Sequence, residues 1–200
     1  MPRDSLASVS DETLLVLYAN GDRDAARLLT TRLAPRVLGY AARLLADRAE
    51  AEDVTQEAML RLWRIAPEWR AGEAQVATWL YRVVTNLVTD QRRARARRPA
   101  VPLDAAPEVA AGGKGVVAGL IEADRMVALE AALASLPDRQ RQAVVLRHIE
   151  GLANPEIAAI MAIGVEAVES LTARGKRALV AILAGRRPDL GYDGDGAGEA

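Results

Sequence analysis

A stretch rich in proline and glycine near the middle of the chain constrains the fold more than any other feature. Between Pro99 and Gly119 there are three prolines and four glycines, with neither a helical nor an alternating period of apolar residues. This composition predicts a linker. On either side apolar residues recur with a helical period, and no alternating run is long enough for a strand. We therefore predict an all-α chain of two helical domains joined by a flexible linker.

The predicted domains span 4–98 and 121–185, with 99–120 as the linker and 186–200 as an acidic, disordered tail. In the first domain we predict the helices Asp11–Ala19, Asp22–Leu33, Pro35–Ala46, Ala49–Ile65 and Val76–Arg98. In the second domain we predict Glu122–Ser135, Asp138–Glu150, Pro155–Ala162 and Val165–Ala184. Asp11 and Asp22 are expected near helix starts as N-caps or first-turn acids, and Gly21, Pro67 and Gly151 are expected to mark helix ends.

Charge is distributed unevenly along a chain whose net charge is close to zero. The 26 basic and 27 acidic residues give a formal net charge of −1, which at first argues against nucleic-acid binding. From Arg82 to Arg98, however, six arginines accompany one acid, a net charge of +5. The last thirteen residues, from Pro188, carry four acids and no base. The charges of a basic helix and an acidic tail thus cancel in the sum, and the net charge does not exclude nucleic-acid binding.

The residue inventory argues against several classes of protein. The absence of cysteine and the single histidine, His148, exclude a disulfide scaffold, a thiol nucleophile and a multi-histidine metal site. No glycine-rich phosphate loop or Ser–His–Asp arrangement occurs, so we expect no enzyme, no catalytic residue, no metal and no cofactor. No apolar run reaches the ~20 residues that span a bilayer, and the first residues do not resemble a signal peptide. We expect a cytoplasmic protein without membrane insertion.

The predicted helix Val76–Arg98 carries two different faces. Val76, Leu80, Val83 and Leu87 are expected to form its core stripe. A second face, here called the arginine stripe, consists of Trp79, Arg82, Asn86, Thr89, Arg93 and Arg97. Arginines neutralise phosphates, amides bond bases or backbone, and an indole can stack on an unpaired base, so this face suits single-stranded or melted nucleic acid. The alternative is a solvated charged face with Trp79 half in the core.

The predicted helix Ala49–Ile65 also has two faces. Val54, Ala58, Leu62 and Ile65 are expected to point inward. The opposite surface, here called the docking face, consists of Asp53, Gln56, Glu57, Leu60 and Arg64. An exposed leucine among polar residues is typical of a contact between helices of two proteins. A solvated acidic face with one stray leucine remains an alternative, whereas a metal site is disfavoured because no histidine accompanies the acids.

A helix-turn-helix is predicted between Leu152 and Arg177. Asn154 is the expected N-cap, Pro155 the first helical residue, and Ile163-Gly164 the turn. The outward surface of the second helix, here called the reading face, consists of Glu166, Ser170, Ala173, Arg174, Lys176 and Arg177. Small and basic residues there permit contact with base edges and phosphates, although the same motif also occurs without a DNA role. Gly175 inside this helix costs about 1 kcal/mol relative to alanine.

Short motifs occur in a fixed order along both domains. The first domain contains AEDVTQE at 51–57, WLYRVVTN at 79–86, Asp90 and Arg92-Arg93. The second contains Leu136-Pro137, Arg141, VVL at 144–146, EIA at 156–158, Val168, Ser170, Arg174 and Lys176. The ordered set resembles the extracytoplasmic-function group of bacterial sigma factors, the two-domain members of the sigma-70 family. The likeness covers both domains and the kind of linker between them and leaves out only the termini.

The resemblance implies a role for each surface. The docking face matches the part of region 2 that binds the beta-prime clamp helices of RNA polymerase, and the arginine stripe matches the part that melts and captures the minus-ten promoter element. The reading face matches the part of region 4 that reads the minus-35 element. The resemblance further implies contact with the polymerase beta subunit, a stress regulon and an inhibitory anti-sigma partner. A linker of about 70 Å when extended lets the domains reach promoter elements two DNA turns apart.

Some positions depart from the family pattern. Ala153 stands where a serine or threonine usually precedes the first helix of the helix-turn-helix, and Ala162 and Gly164 stand in a turn that more often has glycine first and serine later. Glu169 replaces a residue that is often basic. A base preference at the minus-35 element therefore cannot be carried over. The alternatives to a sigma factor are a helix-turn-helix regulator that acts without polymerase and a helical adaptor that binds protein through the docking face.

Overall fold

The computed structural model describes residues 8–45, 47–70, 72, 75–97 and 116–184, with only the backbone described for 116–123. Every regular element in these ranges is helical, which confirms the all-α class. The helices are α1 (Asp11–Ala19), α2 (Arg23–Leu45), α3 (Arg48–Ile65), α4 (Val76–Ala96), α5 (Val116–Ala134), α6 (Asp138–Val144), α7 (Asn154–Met161) and α8 (Val165–Ala184). A 3-10 turn, Ala66–Glu68, follows α3, and a π-helical turn, Val145–Ile149, follows α6.

Side-chain caps set the starts of the first three helices. The Ser10 hydroxyl accepts a hydrogen bond from a backbone amide of the first turn of α1 (3.2 Å), so Ser10 is the N-cap and Asp11 a first-turn acid. Asp22 caps α2 through Oδ1, which accepts from the amides of residues 24 and 25. Asp47 caps α3 in the same way. Gly21, with φ +95°, ends the turn before α2 as expected.

The second helix continues through a proline that was expected to divide it. The predicted helices Asp22–Leu33 and Pro35–Ala46 form a single helix, Arg23–Leu45. A proline inside a helix removes one backbone hydrogen bond and costs about 3 kcal/mol. The helix survives because its apolar stripe runs unbroken across the proline, with Leu29, Leu33 and Val37 all fully buried. Burial of both halves in one core offsets the local cost.

The N-terminal core lies between α2, α3 and α4. Leu44 on α2, Leu62 on α3 and Leu80 on α4 are fully buried, and the Tyr40 hydroxyl pairs with the Thr85 hydroxyl at 2.8 Å. Val54, Ala58 and Leu62 of α3 point inward as predicted, whereas Ile65 is half-buried.

The buried side of α4 differs from the predicted core stripe. It consists of Val76, Leu80, Tyr81, Val84, Thr85 and Val88. Val83 and Leu87, which were expected in the core, are only half-buried at its edge. The prediction was wrong there because a helix of this composition has apolar residues over more than half of its circumference, so periodicity alone does not fix the centre of the buried face.

The C-terminal domain contains α5 to α8. The helix α5 begins at Val116, earlier than the predicted Glu122, so the predicted linker residues 116–120 are helical and Gly119 lies within a helix. Residues 99–115 of the predicted linker and the predicted tail lie outside the described residues. The predicted helix Asp138–Glu150 is interrupted by the π turn, which ends with the Glu150 amide bonded to the Val145 carbonyl at 3.0 Å. Gly151 follows with φ +74°, as expected of a helix end.

The helix-turn-helix is formed by α7 and α8. Its N-cap is Ala153, not the predicted Asn154, because the Glu156 carboxylate reaches back to accept from the Ala153 amide at 2.8 Å. The turn residue Ala162 has φ +52°, a left-handed conformation that glycine adopts without strain. Gly175 lets α8 approach α6 closely, since a Cβ atom there would lie 2.5 Å from Val144 Cγ2.

The two domains pack against each other. Arg43 on α2 pairs with Glu130 on α5 at 3.1 Å, and Arg141 on α6 donates to the Leu44 carbonyl on α2 at 3.0 Å. The helices α4 and α7 also lie side by side. Among the helices described, none has the combined length and apolar character that crossing a bilayer requires.

Candidate functional site

The arginine stripe lies on the side of α4 that faces away from the core. Arg82, Asn86, Arg93 and Arg97 are exposed, whereas Trp79 and Thr89 are half-buried. The Thr89 hydroxyl donates to the Thr85 carbonyl one turn earlier, at 2.7 Å, and does not project freely. The structure therefore brings the six predicted residues onto one continuous surface whose chemistry suits a phosphate backbone and unstacked bases.

An aromatic pair lies at the N-terminal end of the stripe. The ring of Trp79 meets that of Trp69 nearly edge-on, with centroids 6.0 Å apart and planes at 84°. Such edge-to-face pairs hold both rings in a defined orientation. Trp69 lies in the turn between α3 and α4 and carries none of the predicted roles. Trp79 is thus a fixed, partly exposed aromatic surface next to Arg82.

Not every arginine of the basic segment is available to a ligand. Arg92 pairs with Asp138 of the C-terminal domain and donates to the Leu44 carbonyl. Arg95 pairs with Glu50 on α3. Both lie outside the arginine stripe and hold helices together. The net charge of the segment therefore exceeds the positive charge that is available to bind nucleic acid. The arginines of the stripe itself are exposed.

The docking face is exposed along α3. Asp53, Gln56, Leu60 and Arg64 are exposed, and Leu60 shows 41 % of its surface to solvent. Glu57 is half-buried and accepts a hydrogen bond from Arg61 Nε at 2.8 Å. This hydrogen bond from Arg61 lowers the pKa of the Glu57 carboxyl from its usual value. The structure thus leaves one leucine exposed among charged groups, as the helical periodicity predicted.

The reading face is exposed along α8 from Glu166 to Arg177. Its six residues, Glu166, Ser170, Ala173, Arg174, Lys176 and Arg177, are all exposed. Arg174 Nε bonds the Ser170 carbonyl at 3.2 Å, which directs this guanidinium along the helix. Asn154 on α7 approaches Glu169 at 3.4 Å and ties the two helices of the motif together. All six residues of the reading face are therefore open to solvent.

An interdomain crevice, which the sequence did not predict, adjoins the arginine stripe. It has a volume of about 760 Å³. Arg82, Asn86 and Thr89 line one wall, and Gln142 and Ala162 of the C-terminal domain line the other. Helical periodicity describes each helix separately and carries no signal for a contact between domains. Arg92 and Arg141, which join the domains, were accordingly not among the predicted site residues.

A separate apolar groove of about 290 Å³ lies on the C-terminal domain. Leu129, Leu133, Ile149 and Leu179 contribute to its lining together with His148. Burial, followed by the nearby positive charges of the domain, lowers the pKa of His148 from its usual value. Within the described residues, no group of three acidic or histidine side chains could hold a metal ion.

Both domains match known family models. The model described as Sigma-70 region 2 matches residues 29–98, and the model described as Sigma-70, region 4 matches residues 126–179. The first match contains the whole docking face and the whole arginine stripe, and the second contains the whole reading face. The matches to both domains therefore do not support the alternative of a helix-turn-helix regulator that acts without polymerase.

Curated proteins and solved structures are similar over most of the chain. RNA polymerase sigma-H factor of Pseudomonas aeruginosa is 30% identical over 183 residues, which cover 87% of this chain and 94% of the relative. ECF RNA polymerase sigma factor SigW of Bacillus subtilis is 34% identical over 172 residues, 80% of this chain and 89% of the relative. The structure of CnrH in complex with the cytosolic domain of CnrY covers 88% of this chain and 97% of that chain, with 26% identity and a TM-score of 0.62.

Proposed function

The chain belongs to the sigma-70 family as an extracytoplasmic-function RNA polymerase sigma factor, and on this premise we propose how its surfaces divide the work of transcription initiation. The observation that carries the proposal is the separation of three exposed faces on three helices, α3, α4 and α8. Each face has a different chemistry. The docking face on α3 has an apolar residue among charged ones, and the arginine stripe on α4 has arginines beside an indole. The reading face on α8 has small residues followed by basic ones.

The docking face on α3 binds core RNA polymerase through the beta-prime clamp helices. Leu60 is the apolar anchor, and the surrounding charges orient the partner helix. Its exposed fraction, 41 %, is large for a leucine in a folded domain and leaves apolar area to be buried on binding. Asp53 and Gln56 lie on the same exposed surface, where they can bond polar groups at the rim of the contact.

The arginine stripe on α4 captures the minus-ten element after strand separation. Arg82, Arg93 and Arg97 neutralise phosphates, and the rigid Trp79 ring supplies a surface for an unstacked base. Binding the melted strand more tightly than the duplex drives opening without any chemical step. The chain thus acts as a specificity subunit and not as an enzyme.

The reading face on α8 contacts the minus-35 element as duplex DNA. Ser170 and Ala173 are small enough to permit close approach to base edges, and Arg174 and Arg177 reach guanine or phosphate. The general geometry of helix-turn-helix binding supports this division of roles, because the N-terminal part of the second helix enters the major groove.

Control by an inhibitory protein is the fourth part of the proposal. CnrH, a structural neighbour of this chain, was solved in complex with the cytosolic domain of CnrY. From this complex and from the resemblance to extracytoplasmic-function sigma factors, we infer that an inhibitory anti-sigma protein binds this chain. We further propose that the chain acts in the cytoplasm, where polymerase and promoters are found, on genes of a stress response.

Run-off transcription with purified core polymerase tests the proposal. A library of genomic fragments serves as template, and reactions with core polymerase alone serve as the control. We expect promoter-dependent transcripts only when the chain is added to core polymerase. Tight, specific duplex binding by the free chain together with no added transcripts would instead favour a regulator that acts without polymerase.

A further inference from the structure

The apolar residues of the groove on the C-terminal domain belong to none of the three faces described above. They come from four helical elements: Leu129 and Leu133 on α5, Val144 on α6, Ile149 in the π turn and Leu179 on α8. The volume of the groove, about 290 Å³, is close to the lower end of the range for ligand pockets, about 300–1,000 Å³. The groove therefore has room for a few apolar side chains.

Positive charge lies next to this apolar lining. Lys176 on α8 and His148 in the π turn line the groove, and Arg147 precedes His148 in the chain. After burial, the charges of Lys176 and Arg147 are the causes that lower the pKa of His148, so both cations lie close to the groove. Among the lining residues in the part of the chain that the structure describes, none is acidic. An apolar segment flanked by acids is therefore the complementary ligand.

The acidic tail that follows α8 has this composition. From Pro188 onward it carries four acids and no base. Its only large apolar residues are Leu190 and Tyr192. Asp189 precedes the pair and Asp193 follows it. The tail thus offers two apolar side chains between acids, which matches an apolar groove beside cations.

The acidic tail begins close enough to the groove to reach it. The helix α8 ends at Ala184, five residues after the groove residue Leu179, a distance of about 7.5 Å along the helix axis. Leu190 follows Ala184 by six residues, which span at most about 20 Å when extended. Gly185 directly after the helix and Pro188 shortly after it are residues typical of a helix end at which the chain changes direction. The length of the segment therefore allows Leu190 to return to the groove.

We propose that the acidic tail folds back and docks in the apolar groove, with Leu190 and Tyr192 as its apolar anchors. The flanking acids then lie next to Lys176 and Arg147. A segment joined to its site by a short linker has an effective concentration in the millimolar range, so a weak site suffices to hold the tail. While it is docked, the tail covers the groove and excludes other ligands from it. The proposal is independent of the proposed function, since the tail and the groove belong to the same chain.

Nuclear Overhauser effects between the tail and the groove test the docking directly. In the full chain we expect signals between the Tyr192 ring and the methyl groups of Leu133 or Leu179, because such signals require close contact. Their absence overturns the proposal. Signals that arise only between differently labelled chains in a mixture would place the tail of a second copy in the groove. Groove methyl signals that change only when core polymerase is added would assign the groove to polymerase, and either result also overturns the proposal.

Two isoleucines of equal exposure supply a matched pair of variants. Ile149 and Ile182 are both 38 % exposed, but only Ile149 is among the described residues that line the groove. We expect Ile149→Ser to abolish the signals between Tyr192 and Leu133 and Ile182→Ser to keep them, while circular dichroism shows that both variants retain their helices. Loss of the signals in both variants, or in neither, would show that the contact does not depend on the groove and would overturn the proposal.

A peptide titration measures the docking as an affinity. The variant Leu190→Ser combined with Tyr192→Ser changes no residue of the two domains and is expected to empty the groove. A synthetic peptide with the sequence of residues 188–200 is titrated into this variant and into the unchanged chain, and the Ile149 methyl signal reports binding. We expect the peptide to bind the unchanged chain at least about tenfold more weakly, because a tail at millimolar effective concentration competes for a site with a dissociation constant of about 0.1 mM. Equal affinity for both chains, or no binding to the variant, overturns the proposal.

Discussion

Replacement of Gly175 by alanine sets two effects on stability against each other. Alanine is favoured over glycine inside a helix by about 1 kcal/mol, so an isolated α8 would gain stability. In the folded chain the added Cβ would lie 2.5 Å from Val144 Cγ2 and 3.3 Å from the Gln140 carbonyl oxygen. Carbon atoms in contact are normally about 3.5–4.0 Å apart, so α6 and α8 would have to separate by about 1 Å.

The packing effect is expected to win. Overpacking of a core costs about 1–3 kcal/mol. Most of that range exceeds the gain in helix propensity, which is about 1 kcal/mol. We expect Gly175→Ala to lower the free energy of unfolding by about 1 kcal/mol. Urea unfolding followed by circular dichroism measures it, because helices of both domains contribute to the signal. The three tryptophans all lie in the N-terminal domain, and their fluorescence reports separately on that domain.

Gly39→Ala provides the matched control on α2. Its added Cβ would meet only Arg43 Nη1, at 3.1 Å, and the end of a flexible side chain can move. The same substitution is therefore expected to stabilise the chain by about 0.5–1 kcal/mol. Opposite signs at the two glycines support the packing argument. If Gly175→Ala also stabilises the chain by the full propensity difference, the close contact between α6 and α8 is wrong.

Three further predictions concern local stability. Ala162→Gly should raise the free energy of unfolding by about 1 kcal/mol because alanine is strained at positive φ; no gain in urea unfolding would contradict the turn geometry. Ser10→Ala should lower it by about 1 kcal/mol through loss of the α1 cap, which thermal unfolding measures. Burial raises the pKa of both Tyr40 and Tyr81 above the usual 10.0. The free energy of unfolding should therefore fall as pH rises past 10.0. Tyrosinate absorbance recorded during alkaline unfolding checks this, because it should appear together with the loss of structure.

Strong local signals in the sequence predicted most of the fold. The helix Asp11–Ala19 was predicted with the bounds that the structure has, and Gly151 has the left-handed conformation expected of it. These positions depend on neighbouring residues only, through caps, glycine conformations and the helical period. The exposure of Leu60 and of the reading face followed from the same period, since a residue opposite a buried stripe must face away from the core.

Tertiary packing decided the features that the sequence did not predict. Pro35 lies inside a continuous helix because burial on both sides outweighs one lost hydrogen bond. The π turn after α6 arises where Glu150 is held by Tyr81 on another domain, and such a contact has no signature in local spacing. The predicted core position of Leu87 was wrong for the same reason, because the partners of α4 fix which of its apolar residues are buried.

The separation of polymerase binding from promoter opening is the central claim, and one pair of variants tests it most directly. Core affinity and permanganate reactivity of promoter thymines are measured for Leu60→Asp and for Arg93→Ala combined with Arg97→Ala. Val16→Asp, at a valine of similar exposure on α1 (39 %), is the control for the first variant. We expect Leu60→Asp to weaken core binding at least about tenfold, the loss of about 1.4 kcal/mol, and the arginine variant to lose opening while keeping core affinity. Equal loss of both properties in the arginine variant, or unchanged core affinity in Leu60→Asp, would contradict the assignment of the two faces.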